Sequence, residues 1–281
     1  MGKIVIVDGS NLLFQMFYGM PTRIVNRQGR AVQGTVGFVG ALLKIIRWLE
    51  PTHVAVIFDG EGKNFRCEMD EDYKANRQDY SELPEEEVPF SQLPDIYDTL
   101  DYLGICHKET CDCEADDWIA AYVFQYGKEH ELVVVSQDSD FFQLISDSVG
   151  VLRYRGKNSV LCDSTYLKEK FQILPEQYAD FKSMTGDTAD NIKGADKIGP
   201  KTAALLLQEY GSLEGILLEA NSIRKPSIRE SVLRNKERLR LNYRLIKLEG
   251  SKELPFSLEE MAFHCGDQTS TEVLRQVGVL P

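Results

Sequence analysis

The sequence predicts an α/β protein built on a mostly parallel sheet flanked by helices, followed by a helical region. Three observations predict it. Short β-branched apolar runs alternate with stretches of helical periodicity through residue 140. Three of those runs end on carboxylates. After about residue 175 the pattern changes to helices and glycine-rich turns with no clear strand.

Lys3–Val7 is a β-branched run stopped by Asp8-Gly9, the pattern of a strand buried on both faces. Val36, Val39, Leu42, Leu43, Ile46 and Leu49 follow helical spacing up to Pro51. His53–Phe58 reads as a second strand ending on Asp59-Gly60, and Gln92–Leu103 and Glu114–Gly127 read as helices. Leu132–Ser136 is a third strand, followed by the acidic turn Asp138-Ser139-Asp140. In a parallel sheet those strand ends share one edge, where the sites of open α/β sheets lie. Residues 61–91 form a long polar segment holding Lys63, Arg66, Lys74 and Arg77. A connection of that length in a compact domain is usually functional or disordered.

The 281 residues, 43% hydrophobic, suffice for a sizeable core and exclude a disordered or fibrous chain. No apolar run approaches the roughly 18 residues of a membrane span. Lys3 followed by four apolar residues and Asp8 does not fit a signal peptide, which predicts a cytoplasmic protein. The six cysteines are then expected as reduced thiols. Cys106, Cys111 and Cys113 lack the paired C-x2-C spacing of structural zinc sites. The net charge of −12 argues, taken whole, against a nucleic-acid partner. Its distribution argues otherwise: residues 193–247 hold twelve Lys/Arg against six Asp/Glu, a local +6 that leaves −18 elsewhere.

Asp8, Asp59, Asp138 and Asp140 stand at strand ends, and Glu114, Asp116 and Asp117 open a helix. Singly, each is an ordinary cap or turn residue. Together on one edge, they would raise one another's pKa unless cations neutralised them. Hard divalent ions, Mg²⁺ or Mn²⁺, suit such a carboxylate set, which contains no His or Cys. Two ions about 4 Å apart are the usual arrangement for phosphodiester cleavage. A second constellation follows. Asp187 and Asp190 precede Lys193, Lys197, the Ile198-Gly199-Pro200-Lys201 turn and the apolar helix Thr202–Tyr210. That is the form of a helix-hairpin-helix, whose glycine lets the backbone approach a phosphate at a helix N-terminus.

Six motifs carry a resemblance. They are Val7-Asp8-Gly9-Ser10-Asn11, Phe58-Asp59-Gly60, Tyr73-Lys74-Ala75-Asn76-Arg77, Glu114-Ala115-Asp116-Asp117, Ser136-Gln137-Asp138-Ser139-Asp140 and Gly186-Asp187-x-x-Asp190-Asn191-Ile192. In this order, over roughly residues 3–250, the chain resembles the 5′-nuclease (flap endonuclease) superfamily. It is most similar to bacterial 5′–3′ exonucleases such as the 5′-nuclease domain of DNA polymerase I. The resemblance implies a PIN-like α/β nuclease domain over 1–175, with 61–91 as a helical arch. It implies a helical DNA-binding region over 176–281, with the helix-hairpin-helix (H3TH) at 186–211. Asp8, Asp59, Glu114, Asp116, Asp117, Asp138, Asp140, Asp187 and Asp190 match all nine family carboxylates as ligands for two or more Mg²⁺ or Mn²⁺ ions. Asp8, Asp116 and Asp138 are also expected to act in catalysis with Arg66 and Lys74, two basic arch positions. Lys74 would stabilise the scissile phosphate and Tyr73 would stack on a base. Arg77, Lys193, Lys197, Gly199, Lys201 and Thr202 complete the expected DNA contacts, with a K⁺ at the hairpin.

The implied activity is structure-specific, metal-dependent hydrolysis of DNA at 5′ ends and 5′ flaps, in replication and repair. RNA primers are further candidate substrates, a monomer is expected, and no membrane is involved. One position departs from the pattern: relatives commonly carry Arg seven residues after the first Asp, where this chain has Gln15. A neutral amide loses a charge-assisted phosphate contact, and Arg23 is the alternative local source of charge. Two rival readings are a non-catalytic junction-binding protein and a PIN-type ribonuclease.

Overall fold

The computed structural model describes residues 2–60, 62, 65–80 and 82–281. Lys63 lies outside the described residues. A six-stranded sheet runs in the order β3-β2-β1-β4-β5-β6. The strands are β1 (Lys3–Asp8), β2 (His53–Phe58), β3 (Cys106–Glu109), β4 (Glu131–Val135), β5 (Val149–Arg153) and β6 (Val160–Cys162). All pairings are parallel except β5 with β6, so the predicted mostly parallel sheet is what forms.

The alternation within β1 splits the core in two. Ile4 and Ile6, with Ile57, Leu132 and Val134, face α5 (Ala115–Tyr126) and the helices of the C-terminal half. Val5 and Val7, with Val54, Val56, Val133 and Val135, face the other way. They pack against α1 (Gly9–Gly19), α2 (Gln33–Leu49) and α4 (Leu93–Leu103). A strand buried on both faces cannot show polar alternation, which is why these runs read as continuous apolar stretches. Helix α1 starts directly off β1. Asp8 caps it by accepting from Asn11 N–H at 3.0 Å. A side chain at Gly9 would lie 2.5 Å from the Phe58 ring, so only glycine permits that turn.

Among the described residues of 61–91, α-helix is confined to α3 (Phe65–Met69), with short 3₁₀ turns near 85–87 and 89–92. The C-terminal half contains α6 (Ser164–Phe171), α7 (Tyr178–Thr185), α8 (Pro200–Tyr210), α9 (Leu213–Leu218) and α10 (Pro226–Ile246). The expectation of no strand after residue 175 is corrected by a short antiparallel pair, β7 (Gly186–Asp187) with β8 (Ile192–Lys193). It forms because Gly186, at φ +82°, and Gly194 approach too closely for any side chain. Residues 261–280, grouped by sequence with the helical region, return to the sheet instead. Val54 N–H bonds Met261 O at 3.0 Å, and α11 (Ser270–Gln276) packs its Val273 and Leu274 into the α2 side of the core.

Candidate metal centre and its cationic frame

The parallel pairing brings Asp8, Asp59 and Asp138 to one sheet edge, as expected from the strand ends. With Asp116 they line a cleft of about 490 Å³, together with Lys74, Arg77 and the rings of Phe14, Tyr80 and Phe90. Backbone and hydroxyl donors hold these acids in place. Asp8 accepts from Ser136 Oγ at 2.7 Å, and Asp59 accepts from Ala115 N–H at 2.9 Å, at the positive end of α5. Asp138 accepts from Asp140 N–H at 2.8 Å. Capping and cleft-lining are therefore the same placement for these residues, not alternatives.

The nine predicted carboxylates divide into three groups. Asp8, Asp59, Asp116 and Asp138 line the cleft. Asp140, Asp187 and Asp190 flank it, with one carboxylate oxygen from each within 4.8 Å of the others. Glu114 and Asp117 turn toward the polar segment. There Arg66 donates Nη2 and Nη1 to Asp117 at 2.7 and 2.9 Å, Nη1 to Glu114 at 3.1 Å and Nε to Leu245 O at 2.9 Å. Lys74 also pairs with Glu114, and Tyr73 donates its hydroxyl to it at 3.1 Å.

Two sequence expectations are corrected here. Arg66, expected in catalysis, is 1% exposed, and its charge is met inside the fold by the Asp117 and Glu114 carboxylates. It fastens the segment to α5 and to the end of α10. Tyr73 is buried with its hydroxyl on Glu114, so its ring offers no face for a base. The rings that do line the cleft are Phe14, Tyr80 and Phe90, which pack edge to face on one another. Lys74 lines the cleft as well as pairing Glu114, and Arg77 reaches Asp190 at 3.1 Å. Arg23 pairs with Glu86 and does not replace the charge absent at Gln15. Gln15 itself donates to Tyr154 O at 2.6 Å, beside Gln137. Lys193, Lys197 and Lys201 are exposed around the hairpin, Thr202 is half-buried, and Gly199 leaves open space where a side chain would project.

One residue was missed. Lys182 on α7, almost fully buried, contacts Asp140 at 2.6 Å and pairs with Asp187. A lysine five positions before Asp187 was the available signal.

The electrostatics follow the grouping. Burial first, then Asp59, pushes the Asp8 carboxyl up to about 7. Burial and Asp138 push Asp140 to about 7 and raise Asp116 well above the usual range. Burial would raise Glu114 too, but Lys74 and Arg66 outweigh it and hold it low. Four cations, Arg66, Lys74, Arg77 and Lys182, face nine carboxylates, leaving a formal −5. Asp140 Oδ1 is buried and receives no properly aligned hydrogen bond. An all-oxygen donor set with residual negative charge fits hard divalent cations.

Two family models match the chain: the N-terminal resolvase-like domain of 5′–3′ exonucleases over residues 3–172, and their C-terminal SAM fold over residues 173–277. The thermostable DNA polymerase I of Thermus aquaticus is 35% identical over 259 residues, 92% of this chain and 30% of that protein. The chain thus spans under a third of the curated relatives it matches. The T5 5′-exonuclease with bound divalent metal ions (zinc) matches with a TM-score of 0.71 at 23% identity, covering 87% of this chain and 89% of that one. The catalytic core of Rad2 in complex with DNA substrate matches with a TM-score of 0.62 at 16% identity, covering 98% and 93%. These two likenesses concern the fold.

Proposed function

Since the chain belongs to the 5′–3′ exonuclease family, we propose that it hydrolyses DNA phosphodiesters at 5′ ends and 5′ flaps, with divalent metal ions at the sheet edge. The observation that carries this is the convergence of Asp8, Asp59, Asp116 and Asp138 in one cleft, flanked by Asp140, Asp187 and Asp190. The proposed ions are two or more Mg²⁺ or Mn²⁺. The cleft acids would hold one and the flanking acids another, and Glu114 would act from the side through Lys74. When bound, the ions supply charge neutralisation and activation of the attacking water.

The chain's own residues position the substrate. Lys74, at the cleft wall, meets the scissile phosphate with a fixed positive charge, and Arg77 stands beside it. The Phe14, Tyr80 and Phe90 wall offers ring faces and edges to an unpaired base. Lys193, Lys197 and Lys201 grip the duplex backbone around the open Gly199 position, where a K⁺ held by backbone carbonyls belongs to the same proposal. Some of the flap substrates would be RNA-primed. The proposed setting is a cytoplasmic monomer, and among the described residues no helix is long and apolar enough to cross a membrane.

The test is cleavage of an end-labelled double-flap DNA with Mg²⁺ or with chelator. The expected product carries a 5′-phosphate, and Asp138→Asn should lose about a hundredfold or more of the rate. Unchanged cleavage by Asp138→Asn, or in chelator, would sink the reading.

A further inference from the structure

Lys182 sits where a second ion would reach the flanking acids. It projects from α7 with 8% of its surface exposed. Its ammonium lies 2.6 Å from Asp140 Oδ1, pairs with Asp187 Oδ2, and lies 3.4 Å from Ser139 Oγ. Asp140 and Asp187 are two of the three carboxylates whose oxygens cluster within 4.8 Å, and the third, Asp190, is paired with Arg77 instead. The ammonium thus neutralises Asp140 and Asp187 at contact distance. A divalent ion approaching the same two carboxylates would meet a positive charge already bound to them, held there by a tether four carbons long.

We propose that Lys182 is a built-in counter-cation of the flanking carboxylates, and that metal entry there is an exchange in which the ammonium leaves and the ion takes its place. The inference rests on the metal-dependent reading above. Without metal, the lysine lets three acids stay together in a folded chain. With metal, the lysine must swing clear, so its presence weakens the flanking site relative to the cleft site. Two classes of ion affinity follow, and only the weaker answers to Lys182.

The test is titration of the DNA-free protein with Mn²⁺, following the free ion by electron paramagnetic resonance. Wild type, Lys182→Met and Lys182→Gln are compared, with Asp187→Asn marking the flanking site. The weaker class should tighten by about tenfold or more in both lysine variants and disappear in Asp187→Asn. Equal affinities in wild type and the lysine variants would overturn the proposal. Should both variants fail to fold, the wild type decides it by NMR of the lysine ammonium groups. Mg²⁺ should move one slowly exchanging, buried ammonium into fast exchange with solvent. All lysine ammonium signals unmoved at Mg²⁺ saturation would overturn the exchange. A wild type that binds no divalent ion refutes the metal-dependent reading itself, and with it the exchange.

Discussion

Replacing Arg66 by Met separates a fastening role from a catalytic one. The substitution keeps most of the apolar stem and removes the charge. It leaves Asp117, buried at 3% exposure, with the Glu114 N–H at 3.2 Å as a remaining donor. Glu114 retains Lys74 and Tyr73, so the loss concentrates on Asp117 and on the orphaned carbonyl of Leu245. Removing one partner of a buried ion pair costs about 3–5 kcal/mol. The carbonyl adds about 1 kcal/mol or more. Against a total of about 5–15 kcal/mol for a folded domain, that is a large fraction. Urea unfolding at pH 7 should therefore show a loss of about 4 kcal/mol with little change in slope. The double variant Arg66→Met/Asp117→Leu should recover a substantial part, because no unpaired buried charge remains. A destabilisation under about 1 kcal/mol, combined with weakened DNA binding, would refute this reasoning and return Arg66 to the substrate.

The raised carboxyls make metal-free stability depend on pH. Asp8 and Asp140, pushed up to about 7, and Asp116, also raised well above the usual range, support the fold while they hold protons. Their contribution is complete below the ordinary carboxylate range and is lost as pH rises through about 7. In chelator, Tm should fall from pH 5 to pH 8, and Mg²⁺ should restore it increasingly toward pH 8; a flat metal-free profile would contradict this. At the hairpin, Lys197→Ala/Lys201→Ala changes two exposed side chains and should leave Tm unaltered. The logarithmic salt slope of duplex binding, read by anisotropy in Ca²⁺, should shrink by about 2, and an unchanged slope would remove both lysines from the interface.

Much of this site was legible because parallel strands put their ends together. Once Lys3–Val7, His53–Phe58 and Leu132–Ser136 were read as such strands, Asp8, Asp59 and Asp138 had to share an edge. Strand β3 was not legible: Cys-His-Lys-Glu is a polar edge strand whose partner is known only after folding. Nor does β5, with Gly150 inside it, announce itself. Side-chain partners were the least accessible. Arg66 and Lys74 look alike in a polar segment, yet one is sealed against Asp117 and Leu245 while the other lines the cleft. The difference lies in tertiary contacts from α5 and α10, which local sequence does not encode. The net charge misled for a similar reason. Its nine proposed site acids account for most of the −12, and their arrangement, not their sum, bears on nucleic acid.

The bond from Arg66 to Leu245 joins residues 179 apart, and the one from Ser136 to Asp8 joins residues 128 apart. Closures of that span come late, because the entropy of ordering the intervening chain must be met first. As the polypeptide leaves the ribosome, the sheet can gather strand by strand. Arg66 has no acceptor at Leu245, however, until the end of α10 has emerged. Lys182 and two of the acids themselves, Asp187 and Asp190, also lie beyond residue 180. On the proposed nuclease reading, the acids and their cationic frame come together only after the chain through Leu245 has emerged.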